Sequence, residues 1–161
     1  MKKQSKNGYT KVGWLFFYLY IILLFYFLFF SERYGRDSIS ENYRYNLEFL
    51  KEIKRFIKYR ERIGFESFVV NIMGNILAFA PFGFMLPLLN NKLRSFFKIA
   101  FLSIFFSLMV ECLQLAFRVG IFDVDDIFLN SIGGIIGYLF FAIGNGVICI
   151  FRKRKQKRRG T

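Results

Sequence analysis

The chain has 161 residues, of which 55% are hydrophobic and 21% aromatic, and its formal net charge is +13. A soluble domain of this length could not bury so much apolar surface in one core, whereas a bilayer accepts one helical span for roughly every 20 apolar residues. The composition therefore excludes an ordinary soluble domain and predicts a polytopic membrane protein. The chain has no histidine, and Cys112 and Cys149 both lie in apolar runs. Neither a disulfide framework nor a thiolate metal site is supported, and any chemistry must rest on carboxylates, amides, arginine and backbone groups.

Four apolar runs predict an all-α membrane protein with four transmembrane helices in a single domain that covers residues 1–161. The predicted helices span about residues 14–30, 68–89, 96–117 and 127–151. The first run follows several lysines, as a signal peptide does, but it is longer than a typical signal core and has no small-residue cleavage site, so we interpret it as an uncleaved anchor. Pro81 lies inside the second run, where it predicts a break or kink.

The loop between the first two helices contains a segment with helical periodicity. In residues 43–64 apolar side chains recur at near-helical spacing between Lys, Arg and Glu. This pattern is typical of an amphipathic helix that lies in the membrane interface. Such a helix either covers the ends of the other helices or contacts lipid or a partner, and the sequence leaves both interpretations open.

The distribution of Lys and Arg predicts the orientation. The N-terminus, the link at 90–98 and the tail at 152–161 are basic without acidic residues, whereas the link at 118–126 carries one Arg and three Asp. The positive-inside rule then places both termini in the cytoplasm. The basic tail directly follows a membrane helix, so it is interpreted as an anchor on anionic lipid and binding to nucleic acid is not expected.

Polar side chains interrupt three of the apolar runs at a similar depth. From the rise of 1.5 Å per residue, Asn75 and Glu111 lie roughly 10 Å, and Asn130 roughly 6 Å, below the outer ends of their helices. On the third helix Ser103, Ser107, Glu111, Gln114 and Arg118 follow steps of three and four and share one face. We therefore expect a polar pocket under the outer leaflet, whose candidate residues are Asn75, Glu111, Gln114, Arg118, Asp123, Asp126 and Asn130.

Each of these candidates also has a structural interpretation. Asp123, Asp125 or Asp126 can cap the fourth helix, and Arg118 can pair with one of them across a tight turn. Asn75 and Gln114 can join helices by hydrogen bonds, as amides in membrane helices commonly do. An ionisable residue within a membrane segment is a functional hypothesis by default, and Glu111 is the deepest one. It is either functional or a hydrogen-bonded structural acid.

The order of these motifs resembles the VanZ-like family of small bacterial membrane proteins. The resemblance rests on 46-NLEFLKEIKRFIKY-59, 71-NIMGNILAFAPFGFMLPLL-89, 111-ECLQL-115 and 118-RVGIFDVDDIFLNSIGGIIGY-138. It implies four membrane helices in the bacterial cytoplasmic membrane, and it places hallmark positions on all seven pocket candidates. Small residues also recur four positions apart, at Gly133 and Gly137 and at Gly74 and Ala78, which lets helices approach closely. Together with the resemblance, this spacing assigns helix packing to Gly74, Pro81, Gly83, Gly133, Gly134 and Gly137. One departure is Glu48, which stands where members commonly have a proline.

The family's namesake is associated with resistance to teicoplanin, but the resemblance implies no catalytic residue and no required cofactor. The first functional hypothesis is a resistance or cell-envelope protein that engages membrane lipid, specifically a lipid-linked cell-wall precursor in the outer leaflet. The second is an intramembrane enzyme that acts on a lipid headgroup phosphate with a divalent cation held by carboxylates. The third is a lipid or ion carrier, which with four helices would have to form an oligomer.

Overall fold

The computed structural model describes residues 2–30, 43–59 and 65–157. Its secondary structure is almost entirely helical, with two strands of two residues each and one turn of 3-10 helix. In chain order the elements are α1 (Lys2–Phe30), β1 (Tyr45–Asn46), α2 (Lys51–Tyr59), α3 (Phe65–Leu89), the 3-10 turn Asn91–Leu93, α4 (Phe96–Phe117), β2 (Phe122–Asp123) and α5 (Val124–Lys157).

Four of the helices are long and apolar enough to cross a membrane. Their apolar spans are Thr10–Phe30, Asn71–Leu89, Phe96–Phe117 and Val124–Gln156. Large apolar side chains remain exposed along all four, as expected where lipid is the solvent and only helix contacts need to be buried. The predicted all-α membrane fold with four transmembrane helices is confirmed.

Successive membrane helices run in alternating directions. Near one end, Gly13 of α1 lies against Leu89 of α3, and the ring of Phe96 at the start of α4 contacts Tyr138 of α5. We call this the link end, because it carries the link at 90–95 between α3 and α4. The start of α1 lies toward this end, as does the part of α5 that follows Tyr138. The direction of insertion in the membrane stays a prediction.

The closest helix contact joins α3 and α5, where glycines bring the two backbones together. A methyl group added at Gly83 would overlap the carbonyl of Gly134, and one at Gly137 would overlap the carbonyl of Ala80. One at Gly133 would likewise overlap the carbonyl of Ile76. Since backbone atoms cannot move aside as a side chain can, glycine at these positions sets the distance between the helices.

Aromatic side chains fill the bundle toward the link end. Phe82 of α3 stacks on Phe106 of α4 with ring centroids 4.7 Å apart, and Phe17 of α1 lies 6.2 Å from Phe82. Buried Leu24 and Phe79 continue this core toward the other end. The apolar interior therefore holds α1 against α3 and α4, while the backbone contact of α3 and α5 forms the rigid centre.

Three sequence predictions differ from the structure in detail. α3 continues as a helix through Pro81 and Pro87, so the predicted break near Pro81 is wrong, while the alternative of a kink stays a prediction. α5 begins at Val124 and not at 127, because the carboxylate of Asp123 accepts a hydrogen bond from the backbone N–H of Asp125 and so caps the helix start. The predicted amphipathic helix at 43–64 is wrong for residues 43–50, which form β1 and a turn; α2 accounts for 51–59, and residues 60–64 lie outside the described part.

Candidate functional site

At the end opposite the link, the segment of residues 43–50 is fastened to the link between α4 and α5. Strands β1 and β2 pair in parallel, with Tyr45 opposite Phe122 and Asn46 opposite Asp123. The backbone N–H of Phe122 donates to the carbonyl of Arg44 at 3.0 Å. These hydrogen bonds explain why Tyr45 and Asn46 are extended despite the helical periodicity of the segment: the pairing with β2 satisfies backbone groups in place of a helix.

Asp123 lies at the centre of this junction. The side-chain amide of Asn46 donates to both carboxylate oxygens of Asp123, at 3.1 and 3.0 Å. The backbone N–H of Asp123 in turn donates to the carboxylate of Glu111 at 3.0 Å. Three chain segments that are distant in sequence therefore meet at one residue, and the 2% exposure of Glu111 shows that this end of the bundle buries a carboxylate.

Asp125 provides a second fastening for the same segment. Its carboxylate accepts a hydrogen bond from the backbone N–H of Leu50 at 2.5 Å. Leu50 has a φ of 59°, in the left-handed region that β-carbon crowding disfavours for a leucine. The ring of Phe49 also packs on Phe128 at 5.2 Å between centroids. The contact with α5 thus holds a turn that the local sequence alone would not favour.

Asn75 connects α3 to the same group of carboxylates. Its side-chain amide donates to the carboxylate of Asp126, in the first turn of α5. We call the residues that these contacts join the polar cluster, which consists of Asn46, Asn75, Glu111, Asp123, Asp125 and Asp126. Glu111 and Asp125 are buried, whereas Asp123 and Asp126 are partly exposed. With its carboxylates and amides, the cluster can accept and donate hydrogen bonds to a polar headgroup.

One turn deeper, polar groups continue between α4 and α5. The side-chain amide of Asn130 donates to the hydroxyl of Ser107 at 3.0 Å. In the part of the chain that the structure describes, Ser103 Oγ and Asn130 Oδ1 are buried oxygens without a hydrogen-bond partner. An unsatisfied buried acceptor costs about 1–3 kcal/mol. The interface between α4 and α5 therefore keeps two unsatisfied polar oxygens, which lower the free energy of unfolding.

Three of the predicted pocket residues lie outside the cluster: Asn130, which bonds to Ser107, and also Gln114 and Arg118. Gln114 is buried, but its amide donates to the carbonyl of Leu28 at 2.9 Å and so joins α4 to α1. Arg118 ends α4 with a φ of 57° and places its guanidinium over the ring of Tyr43, 4.6 Å from the centroid. The predicted interpretation of Gln114 as an interhelical contact thus matches its geometry. Among the described residues, the side chain of Arg118 contacts Tyr43 and none of Asp123, Asp125 and Asp126.

Of the seven predicted pocket candidates, four belong to the polar cluster: Asn75, Glu111, Asp123 and Asp126. The sequence analysis missed three contacts at this end. Asn46, Tyr43 and the backbone of Leu50 were not among the candidates, because their partners lie about 75 residues further along the chain. The available signal was the resemblance, whose first matched stretch begins at Asn46. Among the described residues, no three His, Cys, Asp or Glu side chains are grouped so that they could hold a metal ion.

The residues assigned to helix packing fall into two groups. Gly83, Gly133, Gly134 and Gly137 lie in contacts of α5 with α3 or α4, and Gly134 lies against the side chain of Ser103. Gly74 and Pro81 line a groove between α3 and α1.

The fold and the cluster define a small polytopic membrane protein with four membrane helices. At one end of the bundle, the segment of residues 43–50 packs on the polar cluster. A profile of the VanZ/LLP1 family matches residues 17–145, and the chain belongs to this family. The matched range contains the whole cluster, all of α3 and α4, and parts of α1 and α5. The chain is also similar to Protein VanZ of Enterococcus faecium, with 26% identity over 127 residues, which cover 79% of this chain and 71% of that protein. No solved structure matches the chain significantly.

Proposed function

We propose that this protein protects bacteria against teicoplanin-type glycopeptides from the cytoplasmic membrane, by engaging the headgroup of a lipid-linked cell-wall precursor in the outer leaflet. Family membership and the similarity to Protein VanZ support the first part of the proposal. The observation that carries the second part is the polar cluster, in which Glu111 and the amide–carboxylate pair of Asn75 and Asp126 lie at one end of the bundle.

The chemistry of the cluster fits a headgroup with many hydroxyl and amide groups. Carboxylates accept several hydrogen bonds each, and the amides of Asn46 and Asn75 hold two of these carboxylates in fixed positions. A preorganised set of acceptors binds such a group at a lower entropic cost than flexible side chains would. The predicted orientation brings the cluster to the outer leaflet, where a precursor is exposed to glycopeptides.

The test compares teicoplanin and vancomycin susceptibility in otherwise identical bacteria. The strains carry empty vector, the parent protein, Glu111→Gln or the control Glu48→Gln, and membrane levels are measured by immunoblot. Glu48 is a suitable control because it forms an exposed ion pair with Lys54 at 3.3 Å outside the cluster. Teicoplanin carries a lipid tail and vancomycin does not, so we expect protection against teicoplanin that is lost in Glu111→Gln and retained in Glu48→Gln.

Two outcomes would contradict the proposal. If the parent accumulates in the membrane and gives no protection, a resistance function is excluded and the lipid enzyme or carrier hypotheses move forward. If Glu111→Gln accumulates normally and protects as the parent does, the protective function does not depend on the carboxylate of the cluster. Loss of the Glu111→Gln protein from the membrane would instead identify Glu111 as a structural acid.

A further inference from the structure

A groove of about 400 Å³ runs between α1 and α3, and one residue of the polar cluster, Asn75, lines it. Its α1 wall extends from Tyr20 to Leu28, about 12 Å along the helix, and its α3 wall includes Leu77, Pro81 and Asn75. The volume lies within the range of about 300–1,000 Å³ that is typical of ligand pockets. Both walls belong to the apolar spans of their helices, so the surrounding medium is the hydrocarbon of the bilayer.

The walls of this groove are apolar except at one end. The hydroxyl of Tyr20 donates to the carbonyl of Ala78 at 2.7 Å, so the polar atom of this side chain is already bonded and its ring serves as wall. Asn75 is different, because it lines the groove and also donates to Asp126 in the polar cluster. One residue therefore belongs to both an apolar groove and a polar site, which is the arrangement that an amphiphile requires.

A second groove on the opposite side of α1 serves as an internal comparison. It has a similar volume of about 480 Å³ and lies between α1 and α4, with Ile22, Phe25 and Leu113 among its lining residues. Its lining includes no amide and no charged side chain. If apolar shape alone attracted lipid, the two grooves would behave alike. Of the two grooves, only the one between α1 and α3 is lined by a side-chain amide, that of Asn75, which can both donate and accept a hydrogen bond.

From this arrangement we propose that the groove between α1 and α3 binds the hydrocarbon chain of a membrane lipid whose hydroxyl-bearing headgroup meets Asn75 and the polar cluster. A hydroxyl fits this position because it can donate a hydrogen bond to the amide oxygen of Asn75, which lines the groove and itself bonds to Asp126. The inference deepens the proposed function, on which it rests for the assignment of the cluster as the headgroup site.

The lipid contact can be measured by quenching of an engineered tryptophan. Trp14 is the only tryptophan of the chain, so Trp14→Phe gives a silent background into which Leu77→Trp or Ile22→Trp is introduced. Leu77 lines the proposed groove and is 61% exposed, and Ile22 lines the comparison groove and is 64% exposed. Each protein is reconstituted in vesicles with increasing amounts of a brominated-chain glucosyl diglyceride, phosphatidylglycerol or phosphatidylcholine.

At equal mole fraction, we expect the glucosyl lipid to bind at least threefold more strongly than phosphatidylcholine at Leu77→Trp and equally at Ile22→Trp. Adding Asn75→Leu should abolish the preference at Leu77→Trp and leave quenching at Ile22→Trp unchanged, which also shows that the bundle is intact. Equal responses at both positions, or a preference that survives Asn75→Leu, would overturn the inference. A preference for phosphatidylglycerol over the glucosyl lipid would overturn the hydroxyl assignment.

The quenching result and the susceptibility result are independent. Headgroup preference without protection against teicoplanin would leave the lipid site standing and remove the proposed function. Protection against teicoplanin without headgroup preference would leave the proposed function standing and remove the lipid site.

Discussion

The hydrogen bonds of Asn46 with Asp123 hold the segment of residues 43–50 to the bundle, and replacing Asn46 by a charged residue tests this contact. Asn46→Asp removes two hydrogen bonds of 3.1 and 3.0 Å to a carboxylate and adds a second carboxylate in their place. Two unit charges about 4 Å apart repel by about 4 kcal/mol at an effective dielectric constant of 20. Removal of hydrogen bonds to a charged group alone costs about 1.5–3 kcal/mol. We therefore expect Asn46→Asp to weaken the fastening by about 4 kcal/mol or more, and Asn46→Leu by about half as much.

Hydrogen exchange of the peptide that covers residues 43–50 measures this fastening directly. The backbone N–H of Leu50 bonds to Asp125 only while the segment is in place, so its protection reports opening of the segment. Since 1.4 kcal/mol corresponds to a factor of ten, Asn46→Asp should reduce protection roughly 1,000-fold. Acidification should restore part of it by protonating one carboxylate, an effect that Asn46→Leu should not show.

Exchange of the two residues supplies the decisive control. In the double variant Asn46→Asp with Asp123→Asn, an amide again faces a carboxylate, and protection should return to within about tenfold of the parent. If Asn46→Asp and Asn46→Leu open the segment equally, or if the double variant is no better than Asn46→Asp, the amide–carboxylate contact does not fasten the loop. The strand pairing of β1 with β2 would then have to hold it alone.

Three further predictions concern other parts of the molecule. Gly137→Ala should lower the free energy of unfolding by about 1–3 kcal/mol in a detergent titration, because the methyl group meets the backbone of α3, whereas Gly146→Ala should not, since open space surrounds Gly146. Tyr43→Leu should increase hydrogen exchange in residues 43–50 by a factor of about two to five, corresponding to about 0.5–1 kcal/mol, and Tyr43→Phe should retain the contact of its ring with Arg118. In intact cells, an impermeant thiol reagent should label Ile121→Cys and not Lys92→Cys if the positive-inside orientation holds.

Each of these experiments has a specific control. Equal stability of Gly137→Ala and Gly146→Ala would contradict the close approach of α3 and α5. Tyr43→Phe and Tyr43→Leu with the same exchange would show that the aromatic ring does not contribute. The labelling requires prior replacement of Cys112 and Cys149, which are both free and exposed, and the reverse labelling pattern would invert the topology.

The sequence by itself determined the four membrane helices. Apolar runs of about 20 residues can satisfy their backbone groups in a bilayer only as helices, so length and composition suffice for this conclusion. The sequence also predicted that polar residues on three of them lie at a similar depth. The spacing of three and four residues on α4 likewise predicted one polar face, and Ser103, Ser107, Glu111 and Gln114 are all buried. The length of an apolar span and the polar face of a helix are local properties, which do not depend on how the helix packs.

Only the tertiary structure decided which polar groups meet. Asn46 and Asp123 are 77 residues apart, and Asn75 and Asp126 are 51 residues apart, so no helical or strand period relates them. The short strand at Tyr45–Asn46 and the turn at Leu50 are a consequence of that meeting, since the link between α4 and α5 and the start of α5 supply hydrogen bonds that compete with the local helical preference. The groove between α1 and α3 is likewise decided by the tertiary structure, because its shape depends on how the two helices pack and not on the sequence of either helix alone.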